Sequence, residues 1–136
     1  MSYALASDLI ARFGEPELIQ QTDLTSAGAY NAATVARALD DASALIDGYL
    51  AGRYAVPLAS VPALLVTLAC DLARYALYVD AVPDVVRDRR DQAVATLRDI
   101  AAGRVLLDVS VSAGGAGAGA AIVGRAGRKV FGGGLG

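Results

Sequence analysis

The sequence predicts a mainly α protein: a compact bundle of about five helices, followed by a glycine-rich C-terminal extension that contains short β-like segments. Three observations predict it. Apolar residues recur at the 3.6-residue helical period through most of the chain up to Gly103. Glycine, proline or a capping residue stands between successive periodic stretches. Of the fifteen glycines, ten crowd into residues 109–136, beyond the periodic part. The chain therefore divides into a helical body at 1–103 and an arm at 104–136. A body of that size buries roughly two-thirds of its unfolded surface in one core.

The first helix runs from Ala6 to Phe13, with Leu9, Ile10 and Phe13 on one side, and Gly14 suits the position just past its end. Pro16 then sits near a new N-terminus with Glu15 and Glu17 in the first turn, and that helix carries Leu18 and Ile19 as far as Thr22-Asp23. Asn31 is a good N-cap for a long helix whose inward positions are Val35, Leu39, Ala42, Ile46 and Tyr49. It ends near Ala51, and Pro57 fixes an extended loop.

Ser60 is placed to cap the fourth helix, with Pro62 in its first turn. Its buried stripe is Leu65, Leu68, Leu72 and Tyr75, widened by Leu64, Ala69 and Ala76, and this most apolar helix lies at the centre of the core. Asp84 caps the last helix, with Val86, Ala93, Leu97 and Ile100 inward and an Arg87–Asp91 pair at i,i+4 on the outer face. Gly103 closes it. From Leu107 the period changes to two, with Val109 and Val111 alternating with polar residues, before a Gly-Ala spacer and a second β-like run at Ile122-Val123.

Composition excludes several kinds of chemistry. There is no histidine, hence no imidazole base and no His ligand, and the single Cys70 excludes an internal disulfide and a cysteine zinc site. No catalytic residue, cofactor or metal is expected. Asp40-Asp41-Asp47 and Asp84-Asp88-Asp91 have the spacing of solvated helix faces, with arginines beside them. The Gly-Ala spacer lacks the P-loop Lys-Ser/Thr. Tyr49, Tyr54, Tyr75 and Tyr78 read as core and rim packing, and Asp71 and Arg74 as a partly buried pair. With one cysteine a reduced cytosolic setting fits; the apolar run Val61–Cys70 is too short for a bilayer, and no signal peptide is expected.

Charge is divided along the chain. Residues 1–108 hold nine arginines against fourteen acids, a net of −5, whereas 109–136 hold Arg125, Arg128 and Lys129 and no acid. An acidic body does not suit nucleic-acid binding. The arm's β-like segments need partners for their backbone groups, and an all-helical body offers no sheet edge. Residues 105–131, with Leu107, Val109, Val111, Ile122, Val123, Val130 and Phe131 as apolar positions and Arg125, Arg128 and Lys129 as basic ones, are therefore read as pairing with another subunit or a partner protein by strand addition; the alternative is a disordered tail or a hairpin folded on its own body.

Specific motifs reinforce this reading. They are Tyr3, Asp8-Leu9-Ile10-Ala11-Arg12-Phe13-Gly14-Glu15, Glu17-Leu18-Ile19-Gln20-Gln21-Thr22-Asp23, Ala38-Leu39, Ala42, Ile46-Asp47-Gly48-Tyr49-Leu50, Arg53-Tyr54, Pro57-Leu58, Val61-Pro62, Asp71, Ala73-Arg74-Tyr75, Leu77-Tyr78, Leu97-Arg98-Asp99-Ile100-Ala101-Ala102-Gly103 and the basic-aromatic Arg128-Lys129-Val130-Phe131. With them, the chain resembles the Mu-like phage neck protein family, small head–tail adaptors of long-tailed phages. The resemblance implies a non-enzymatic ring beneath the portal, of twelvefold symmetry, that extends the DNA channel. Its implied partners are other copies of itself, the portal, a stopper or tail-terminator protein, and genomic DNA that passes without sequence-specific contact. It places the chain at the virion neck, assembled in the host cytoplasm, with no membrane partner. The competing class is a small helical ligand-binding or regulatory protein with a disordered tail, which predicts a persistent apolar pocket.

Overall fold

A computed structural model describes residues 2–107. Five helices follow in order: α1 (Ala6–Phe13), α2 (Glu15–Thr22), α3 (Ala32–Leu50), α4 (Ala63–Leu77) and α5 (Asp84–Ala101). The described residues contain no strand, so the mainly α architecture holds for them. The β-like segments at 109–111 and 122–123 lie outside the described residues.

The three long helices pack on one another and enclose the core, and the short α1–α2 hairpin covers them, α1 touching α3 and α4 and α2 touching α3. The inward faces follow the apolar period. Val35, Leu39, Ala42 and Ile46 of α3 are buried, as are Val86, Ala93, Leu97 and Ile100 of α5. On α4 every residue from Leu68 to Ala73 is buried, because the helix has neighbours on several sides. Leu64 and Ala76 instead face solvent, which corrects the wider stripe.

Asn31 caps α3 as its residue type predicts, its side chain accepting from the Thr34 amide at 3.1 Å. The caps of α4 and α5 differ from expectation in the same way. Pro62 and Pro83 are themselves the N-cap residues, with ψ near 150°. The Pro62 carbonyl accepts from Leu65 and Val66, and the Pro83 carbonyl from Val86 and Arg87. Proline biases the residue before it away from helical geometry, so neither helix starts upstream of its proline. Ser60 is thus left outside α4. Asp84 becomes the first helical residue of α5, and its carboxylate turns to Arg87. Arg87 therefore does not pair with Asp91, which is held by Arg90 at 2.7 Å.

Turns are closed by local polar groups. Gly14 joins α1 to α2 at φ +89°, where its amide donates to the Ile10 carbonyl. Leu5 donates its amide to the Asp8 carboxylate, 2.8 Å away, at the start of α1. The buried Thr22 hydroxyl donates to the Leu18 carbonyl and accepts from the Asn31 amide, which bridges the ends of the 23–31 loop. Inside that loop the Asp23 carboxylate accepts from Ala27 and Gly28, and these amides hold its pKa below the usual value.

Beyond α5, Gly103 has φ +81°, and a Cβ there would stand 2.5 Å from the Arg53 guanidinium. Gly103→Ala is expected to destabilise the chain by about 1–2 kcal/mol from backbone conformation alone, before the clash with Arg53 is counted. Gly48 lies inside α3 with open space at its Cβ position. Gly48→Ala is expected to stabilise by about 0.5–1 kcal/mol. Urea unfolding of the two variants beside the parent chain checks both signs.

Candidate interaction surface

Two groups of polar contacts tie the elements of the bundle together. The first gathers three irregular segments at one end. Tyr3 is buried against α3: its amide donates to Ser43 Oγ at 2.8 Å, and its hydroxyl donates to the Asp47 carboxylate. The same hydroxyl accepts from the Leu58 amide at 3.0 Å, in the connection between α3 and α4. Burial, assisted by Asp47, pushes the Tyr3 phenol up to about 12. Arg53, just past α3, donates from Nε to the Ala101 carbonyl at 3.0 Å. That bond satisfies an orphan carbonyl at the end of α5 and sets a cation at the negative end of its dipole. It also shows that α3 and α5 end side by side.

Tyr54, buried beside Arg53, uses its hydroxyl to accept from the Leu107 amide at 3.2 Å. Leu107 is only 7 % exposed and belongs to the core cluster, with Val105 packed against it. Of the ten arm residues named from the sequence, Leu107 alone lies among the described residues. Its side chain is spent on its own body, so the packed chain reaches four residues past Gly103. Val109, Val111, Ile122, Val123, Arg125, Arg128, Lys129, Val130 and Phe131 lie outside the described residues.

The second group lines the flank where α1 and α2 meet α4, and α4 meets α5. Arg74 makes two hydrogen bonds to Glu17, at 2.7 and 3.0 Å, and lies over the Phe13 ring at 4.1 Å from its centroid. This half-buried pair fastens α2 to α4. The expected Asp71–Arg74 pair is thus corrected: Glu17 outcompetes Asp71 because it meets the planar guanidinium with both oxygens. Asp71 is 6 % exposed, and burial raises its carboxyl pKa against the pull of Arg89, Arg74 and Arg12. On the other side of α4, Arg90 lies over the Tyr75 ring, 3.9 Å from its centroid. Burial likewise drives the Cys70 thiol up to about 11, which leaves it a poor nucleophile.

The crevice between α1, α2 and α4, lined by Phe13, Gln21, Leu77 and Tyr78 among others, has no room for a water molecule. Among the described residues no group of three His, Cys, Asp or Glu is placed to hold a metal ion, and no helix is long and apolar enough to cross a membrane. Tyr54 is core and Tyr78 is a half-buried rim residue, while Tyr49 and Tyr75, which the helical period places inward, are only half-buried. The bracing roles of Tyr3 and Arg53 carry no periodic signal, because both residues act from irregular segments.

The sequence matches the family model described as Bacteriophage Mu, Gp36, over residues 3–123. The chain belongs to that phage family. The match takes in the whole helical bundle and the Gly-Ala spacer and stops before the basic cluster at 125–129. Among family relatives, the Mu-like prophage FluMu protein gp36 of Haemophilus influenzae is 38 % identical over 108 residues, 79 % of this chain and 77 % of that protein. Gene product J of Escherichia phage Mu is 44 % identical over 78 residues, covering 57 % of this chain and 55 % of its own length.

The Tyr3 phenol has a titration consequence with a definite sign. Its folded pKa, about 12, stands above the ordinary 10.0, so folding favours the protonated form. The stability it contributes is complete below pH 10 and is lost as pH rises toward about 12. Tyr3→Phe leaves the Leu58 amide and Asp47 without this partner and is expected to cost about 1–3 kcal/mol at neutral pH. The same variant should show a shallower loss of stability over the alkaline range, measured by urea unfolding at stepped pH.

Proposed function

We propose that the chain is a structural protein of a phage neck: a head–tail adaptor whose copies form a ring beneath the portal, extend the DNA channel and join the capsid to a stopper or tail-terminator protein. The observation that carries this reading is family membership over residues 3–123, combined with a division of labour along the chain. A helical bundle buries its own core as far as Leu107, and beyond it lies a glycine-rich segment whose charged residues after Asp108 are all basic.

The physical properties fit a part that holds and guides. Residues 1–108 have a net charge of −5, and an acidic wall repels phosphate, which lets DNA slide without adhering. Most of the apolar side chains on the helices are buried within one copy, and the crevice between α1, α2 and α4 is filled. The adaptor needs no catalytic group, cofactor or metal. In this reading residues 108–136 form the attachment arm and dock on the portal or an adjacent copy. Val109, Val111, Ile122, Val123, Val130 and Phe131 supply apolar contact, and Arg125, Arg128 and Lys129 supply the rim. The body boundary then falls after Leu107. Twelvefold symmetry would match the ring to a twelvefold portal.

Deleting residues 113–136 tests the assignment. The truncated chain is expected to keep the helical circular dichroism and cooperative melting of the full chain, yet to be missing from particles made by a phage that encodes it. Incorporation at the normal level would defeat the proposed role of the arm. Electron microscopy of purified virions with the chain labelled tests the location itself: density at the head–tail junction is expected, and density elsewhere would reject the adaptor reading.

A further inference from the structure

The described body carries its charges unevenly. On the solvent side of α3, Asp40 and Asp41 are exposed among small residues, Ala33, Ala44 and Gly48, with Arg37 as the one cation of the helix. Asp40 holds the Ser2 hydroxyl, and Asp41 has no ion-pair or hydrogen-bond partner among the described residues. Leu45, 43 % exposed, borders this face. Such a surface is flat and slightly apolar, with an excess of negative charge.

The flank of α4 between α1 and α5 has the opposite character. Four arginines border it: Arg12 from α1, Arg74 from α4, and Arg89 and Arg90 from α5. Arg74 and Arg90 are neutralised by Glu17 and Asp91. Arg12 and Arg89 are exposed and have no carboxylate within ion-pair distance among the described residues. The charge of both reaches Asp71, which is buried on α4 and itself lacks a direct hydrogen bond or ion pair among the described residues. Both guanidinium groups are thus left without a direct carboxylate partner among the described residues, and their planar donors suit carboxylates.

We propose that the Asp40–Asp41 face of α3 in one copy seats on the Arg12–Arg89 flank of a second copy. This rests on the ring reading above and names the surfaces that would build the ring. Both surfaces are exposed in a single copy, so they meet only between copies. They are different surfaces of the same molecule, which makes the contact heterologous; a repeated heterologous contact closes a ring when the rotation fits. The small side chains of Ala44 and Gly48 let the arginine planes approach the α3 backbone closely. An acidic body otherwise repels its own copies, and this pairing of local charge offsets that repulsion.

A cysteine pair tests the contact in assembled particles. Cys70 is buried and does not compete. With Asp41→Cys and Arg89→Cys in one chain, mild oxidation of purified particles should give a ladder of disulfide-linked multimers on non-reducing gels, ending in a closed ring species. Either substitution alone should give none. If the chain is found in the neck as a ring but no ladder forms, this interface is wrong and the ring reading stands. If particles hold the chain in no ring, both fall.

Charge reversal supplies an independent readout. Asp41→Arg or Arg89→Asp should each lower incorporation more than about tenfold, because like charges then face each other. The double variant Asp41→Arg/Arg89→Asp should restore it. Circular dichroism melting of each chain, with Arg89→Gln as a milder change, separates lost folding from lost contact. Folded single variants that incorporate normally, or a folded double variant that stays out of particles, would overturn the proposal.

Discussion

Backbone amides and carbonyls outside the helices must find partners, and among the described residues no sheet supplies them. At one end of this bundle three side chains meet that demand together. The Tyr3 hydroxyl takes the Leu58 amide, the Tyr54 hydroxyl takes the Leu107 amide, and Arg53 caps the Ala101 carbonyl. Through them the N-terminal segment, the α3–α4 connection and the exit from α5 are tied to α3. The same contacts aim the chain as it leaves the bundle, since Gly103 is held against Arg53 and Leu107 is drawn into the core. If the arm is an attachment element, its starting point is set by this end of the body.

A second constraint is the competition among charged groups for partners. Arg74 faces both Glu17 and Asp71, and takes Glu17 because two-point contact with a planar guanidinium is stronger than a single approach. That choice fastens the α1–α2 hairpin to the bundle. It also leaves Asp71 buried without a direct partner among the described residues. The proposed contact between copies draws on this imbalance, and it links the electrostatics of one copy to the assembly of many.

Apolar period made most of the helical body legible. The inward residues of α3 and α5 were readable because burial on one side leaves a 3.6-residue imprint. Helix starts were less legible. Ser60 and Asp84 have good capping chemistry, but the adjoining prolines set the backbone and became the caps. Leu64 and Ala76 match the period of α4 yet face solvent near its ends, where neighbouring helices do not cover them. Leu107 matches an alternating pattern and reads as an arm contact, yet its side chain is buried in the bundle and its amide donates to Tyr54, a residue the pattern does not include.

By itself the sequence determined the helical class, the order of the helices, the Asn31 cap, and the separation of an acidic body from a basic, glycine-rich end. These follow from local geometry and composition, which each short stretch carries alone. Tertiary structure decided which partner each polar group took. Arg74 and Glu17 lie 57 positions apart, and Tyr3 and Leu58 lie 55 apart. Pairings of that range leave no periodic trace, because they depend on which ends of which helices the packed core brings together.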